Sequence, residues 1–174
     1  MSRQYFDEVL SPIITADQPA ITGTSEAALW AVANGSSLTA NQLQPGQLLR
    51  ISAWGLMTTA ASTPGTLTIT PRYGTSTGGT TLGASAASPT LATSKTNVPW
   101  WLDLMGICRS TGTSGTMVLS GHFTCDQAFT QPLAFGGTTA TIDTTTAQGI
   151  FIGVTLGSAS DSMTTKGLAF ELLN

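Results

Sequence analysis

Hydrophobic and polar residues alternate with a period of two along most of this chain, in runs closed off by Gly, Pro, Asn or Ser. Nine such runs stand out, at 27–33, 47–58, 65–73, 79–85, 98–109, 116–125, 138–144, 149–157 and 163–173. Strict alternation bounded by turn residues is the signature of a strand with one face on a core. In 47–58 the core face is Leu49, Ile51, Ala53 and Met57, leaving Arg50, Ser52, Trp54 and Leu56 outward. In 98–109 it is Trp100, Leu102, Leu104 and Cys108, with Trp101, Asp103, Met105, Ile107 and Arg109 outward. Met117, Leu119, Phe123 and Cys125 point in from 116–125, and Thr116, Ser120, His122 and Thr124 point out. Ile150, Ile152, Val154 and Leu156 point in from 149–157, with Phe151 outward. No segment repeats at the 3.6-residue helical period over three turns. Short strands with turn signals every 8–12 residues predict an all-β, jelly-roll-like antiparallel β-sandwich.

The first twenty residues depart from that pattern, with two prolines and no alternation. The expected organisation is an extended N-terminal arm over 1–20 and a β-sandwich domain over 21–174. Tyr5, Phe6, Val9, Leu10, Ile13 and Ile14 give the arm apolar surface with which to reach a neighbouring protomer or another protein. Strands 47–58, 98–109 and 149–157 also carry large apolar groups on the face turned from the core: Trp54, Leu56, Trp101, Met105, Ile107 and Phe151. A monomer rarely leaves such a patch in water. These twelve residues are therefore the candidate interface, and a homo-oligomer, as a trimer, is expected.

Composition sharpens this. Thr, Ser, Gly and Ala make up half of the chain, and β-branched Thr at the polar strand positions suits a pleated surface. Only 9% of residues are charged, and the net charge is -3. Phosphate recognition needs a basic patch, so nucleic acid is excluded as a partner. No apolar run approaches the ~20 residues of a membrane helix, and no membrane partner is expected. The start, with Asp7 and Glu8 where an apolar stretch would run, is not that of a signal peptide.

Candidate chemistry is sparse. A hairpin joining 98–109 to 116–125 through STGTSG sets Cys108 opposite Met117 and Cys125 opposite Trp100. A disulfide would need a slip of about eight residues, on the order of 26 Å, so both cysteines are expected as buried thiols. His122 is the single histidine, too little for a zinc site, and it lies on the outer face of a Thr/Ser-rich strand. The acids are scattered and near turns, as at Asp126, Asp143 and Asp161, without the spacing of a calcium loop. Asn34-Gly35 reads as a turn. No catalytic, cofactor-binding or metal-binding residue is expected, and the chain is expected not to be an enzyme.

Three segments carry a resemblance: PGQLLRISAWGLMTTAASTPGTLTITPRYG, TNVPWWLDLMGICRSTGTSGTMVLSGHFT and TIDTTTAQGIFIGVTLGSAS. Over roughly residues 27–173 the chain resembles a group of small β-sandwich virion proteins of tailed bacteriophages. The resemblance implies a non-enzymatic structural protein, foremost a capsid decoration (cement) protein that oligomerises and stabilises the head shell. It implies the major capsid protein as partner, the capsid surface as location, and assembly in the host cytoplasm. The alternatives are a head-fibre or tail-fibre module binding host glycan, and a carbohydrate-binding jelly roll.

Overall fold

The structure is a computed structural model and describes the backbone of 8–9, then residues 14, 16–30, 37–125 and 127–173. Asn34, Gly35, Asp126, Tyr5, Phe6, Leu10, Ile13 and the side chain of Val9 lie outside the described residues. Two antiparallel sheets pack face to face. The larger is built on long strands β5 (Leu48–Thr58), β9 (Val98–Ser110), β10 (Gly115–Thr124), β11 (Leu133–Ile142) and β13 (Ser162–Leu173), in the order β13-β5-β9-β10-β11. Two short strands, β1 (Glu8–Val9) and β2 (Ile21–Thr22), pair with β13 at the edge. The smaller sheet centres on β6 (Leu67–Gly74) and β12 (Gln148–Leu156). Its short flanking strands are β3 (Ala27–Ala28), β4 (Ser37–Leu38), β7 (Thr80–Thr81) and β8 (Ala86–Ala87). This is the all-β, jelly-roll-like sandwich that the alternation predicts.

The inward faces are those expected from the period of two. Leu49, Ile51, Ala53 and Met57 of β5 meet Ile150, Ile152, Val154 and Leu156 of β12 in one buried cluster. Trp100, Phe123 and Phe129 add a run of rings, with centroids 5.4 Å and 6.0 Å apart. Cys108 pairs in register with Met117 as expected, and both cysteines are buried outside any disulfide.

Corners join the sheets at fixed points. Asp161, fully buried, accepts the N–H groups of Ala60 (2.8 Å) and Gly65 (2.9 Å). One carboxylate thereby ties the β5–β6 crossing to the β12–β13 crossing. Thr144, in the β11–β12 crossing, is likewise buried and exchanges backbone and side-chain bonds with Gly112 in the β9–β10 turn.

Four expectations change. Phe151 is fully buried rather than outward, because the outer face of β12 is covered. Its neighbour in register, Arg72, holds Glu26 in a two-pronged ion pair (Nε–Oε1 3.0 Å, Nη2–Oε2 2.6 Å), and Glu26 lies against Gly153. The run at 138–144 begins earlier, at Leu133, since Gly136 and Gly137 at φ 82° and 84° carry the strand through a bulge that interrupts the alternation. Of the run at 79–85 only Thr80–Thr81 is strand, with Gly83 (φ 91°) between it and β8 beyond the run, and of 27–33 only 27–28 is strand among the described residues.

The described parts of the arm lie along β13 of their own chain. Glu8 and Val9 pair with Leu172 and Glu171, the Gln18 N–H donates to Thr165 O at 3.0 Å, and Asp17 pairs with Lys166. Ile14 packs against the core.

Candidate binding face

The outer face of the larger sheet gathers the side chains that chemistry can use. Antiparallel register lays them in rows across the strands. One row runs Gly167, Trp54, Trp101, Thr124 from β13 to β10. The next runs Ala169, Ser52, Asp103, His122, Ala134, and the next Glu171, Arg50, Met105, Ser120. A last row brings Leu173, Leu48, Ile107 and Val118 together. Successive rows are two residues apart, about 7 Å along the strand.

Aromatic exposure on this face is built in, not incidental. Trp54 and Trp101 are direct cross-strand partners, whose Cβ atoms in such a pair sit ~5 Å apart. They remain 46% and 49% exposed. Trp54 leans over β13: a Cβ added to Gly167 would collide with its Cε2, Cζ2 and Cη2, all inside 3.0 Å. Three adjacent ring atoms at similar depth mean that the backbone meets the face of the indole rather than its edge. Only glycine allows that approach, and the bulge between Thr165 and Gly167 brings this glycine under the ring. One face of the indole is seated and the other is left to solvent.

Polar groups border this pair. Asp103 is held by the Ser52 hydroxyl, which donates to Oδ1 at 2.7 Å. His122, exposed, stands opposite Asp103 on β10. Beyond them the small side chains Ser120 and Ala134, set among Met105, Arg50 and Leu173, leave a shallow depression of about 650 Å³. Asp103 and His122 line it on the side of the tryptophans. Among the described residues, no group of three or more His, Cys, Asp and Glu could hold a metal ion. This face offers open indole rings to stack on and polar side chains to hydrogen-bond.

Of the residues singled out from sequence, Trp54, Trp101 and Met105 (52% exposed) come together here, while Leu56 and Ile107 are half-buried on the same face. Phe151 belongs to the other sheet and to the interior. Leu48, 38% exposed, was not expected in the patch, and neither was the polar row between the aromatic and aliphatic ends. Alternation already placed Arg50, Ser52, Asp103 and His122 outward. The register of β5 on β9 sets Trp54 and Ser52 beside Trp101 and Asp103, and the register of β9 on β10 adds His122.

No protein-family model matches the sequence, and no curated protein matches it. Among solved structures the chain is similar to arcelin-5, a lectin-like defence protein from Phaseolus vulgaris, at 7% identity and TM-score 0.41, covering 97% of this chain and 92% of that one. It is also similar to the CBM2 module of the evolved Dit of Lactobacillus casei BL23 phage J-1, at 14% identity and TM-score 0.31, over 79% and 67% of the two chains. A third likeness is to a legume lectin-like domain from Entamoeba histolytica, at 11% identity and TM-score 0.29, over 97% and 89%. None of these likenesses assigns a family.

Proposed function

We propose that the chain is a structural protein of a tailed-phage virion, a non-enzymatic decoration protein of the head that turns the outer face of its larger sheet away from the shell. The observation that carries this reading is the confinement of exposed large hydrophobics. Among the described residues all four, Leu48, Trp54, Trp101 and Met105, lie on that one face. A two-layer sandwich held by a continuous core gives such a face a fixed shape, and the sparse charge of the chain suits a particle component whose neighbours cover much of its surface. The resemblance over 27–173 points to the same setting. The partners in this reading are the major capsid protein and further copies of the chain, as a homotrimer that packs through surfaces other than this face.

The exposed face itself suits recognition better than subunit packing. With Phe151 interior and Leu56 and Ile107 half-buried, the apolar area is smaller than the sequence suggests. A row containing Asp103 and His122 crosses it, with Arg50 in the next, whereas the centres of protein interfaces are depleted of charge. Mass spectrometry and antibody labelling of gradient-purified particles test the proposal. The chain should be present in many copies with label over the heads; its absence from purified particles would overturn the reading.

A further inference from the structure

We infer that the outer face of β5, β9 and β10 is a carbohydrate-binding site for a neutral hexopyranose oligosaccharide, which stacks on Trp54 and Trp101 and hydrogen-bonds at Asp103 and His122. This deepens the reading of that face as a recognition surface and rests on it. A hexopyranose is amphipathic in a particular way: its ring presents flat patches of C–H, and its rim is a belt of hydroxyls that both donate and accept. A matching protein surface needs an open aromatic face next to fixed acceptors and donors, with little net charge.

Each of those requirements has a counterpart here. Trp54 is seated on the Gly167 backbone by one ring face, so its solvent face is positioned before any ligand arrives. Trp101 extends the platform on the neighbouring strand. One row away, about 7 Å along the strand, Asp103 offers acceptor oxygens, with Oδ1 oriented by the Ser52 hydroxyl. Across from it, His122 brings two ring nitrogens for hydrogen bonds to sugar hydroxyls. Arg50 brings donors from the following row. The 650 Å³ depression beyond Asp103 falls within the size range of small-molecule sites and leaves room for a chain that continues past the stacked ring.

Other occupants fit less well. A second copy of this chain would bury Asp103, His122 and Arg50 at the centre of the contact, where each needs a new partner. An acidic glycan or a phosphate would meet the Asp103 carboxylate at the middle of the site.

Isothermal titration and tryptophan fluorescence of the full chain test the inference, with linear β-1,4-glucohexaose, β-1,4-galactohexaose and α-1,6-glucohexaose as probes. Trp30 and Trp100 are buried, so a ligand-dependent change in emission reports on Trp54 and Trp101. At least one hexaose should bind with Kd below about 1 mM. Trp54→Ala and Trp101→Ala should each weaken it by roughly tenfold. Asp103→Asn should weaken it several-fold, with circular dichroism unchanged in all three. Absence of binding by every probe, or binding that survives both tryptophan substitutions, overturns the inference. So does an oligomer that the tryptophan substitutions dissociate while no sugar binds, since the face is then covered by protein. Sugar binding that needs the tryptophans in a chain absent from particles sustains this site and overturns the proposed location. Presence on particles without sugar binding does the reverse.

Discussion

Replacing Asp161 by Asn is a change of one atom that should cost this protein much of its stability. Asp161 has no solvent exposure, and its two carboxylate oxygens each accept a backbone N–H, from Ala60 and from Gly65. The amide of Asn retains one acceptor and turns an NH2 toward the other N–H, so a donor faces a donor in the interior. Hydrogen bonds to charged groups contribute about 1.5–3 kcal/mol each, and a buried group left unsatisfied costs about 1–3 kcal/mol. Losing one such bond and orphaning one donor gives an expected loss of about 3 kcal/mol. In a domain of this size that lowers Tm by roughly 6–12 °C. Urea denaturation followed by circular dichroism measures the free energy, and differential scanning calorimetry measures Tm. A loss under about 1 kcal/mol would refute the argument that one carboxylate clasps the two sheet crossings.

Phe151→Ala should cost about 3–5 kcal/mol because the ring is interior, whereas Trp101→Ala on the exposed face should cost less than about 1 kcal/mol; parallel denaturation curves compare the two. Gly167→Ala should displace the Trp54 indole from its seat, and iodide should then quench its emission more strongly than in the parent chain. Tyr73 is pushed up to about 12 by burial first, then by the charges of Asp143 and Cys108. Its folded value thus exceeds the unfolded one near 10, and its contribution is complete below pH 10 and lost as pH rises through 12. Alkaline unfolding followed by circular dichroism should show a loss of up to about 2 kcal/mol across that window, and a smaller one in Tyr73→Phe.

The sandwich was legible because its long strands bury one face each, and alternation in Leu49, Ile51, Ala53 and Met57 reports that burial residue by residue. The register of β9 on β10 was legible too, since a short turn leaves few ways to pair 98–109 with 116–125. Alternation names a side, however, and says nothing of what lies over it. Phe151 shows the difference: the ion pair of Arg72 with Glu26, forty-six positions apart in sequence, covers its side of β12. Alternation shows only the later part of β11, because Gly136 and Gly137 take positive φ values that carry the strand through a break in its pattern. The candidate site was half legible. Both tryptophans were placed outward, yet their meeting depends on β5 pairing with β9 across the whole of β6 to β8, a non-local register that no turn encodes. Gly167 as the seat of Trp54 has no local signal, and Asp161 in its turn resembles any solvated acid near a strand end.

On the particle, the outer face of β5 and β9 should look away from the shell, and a cryo-electron microscopy reconstruction of the intact phage head would show its direction. Sandwich density should be seated on the capsid shell, with Trp54, Trp101 and Asp103 facing solvent. A shell with no such density, or one in which the outer face of β5 and β9 is buried against the capsid, would contradict this placement.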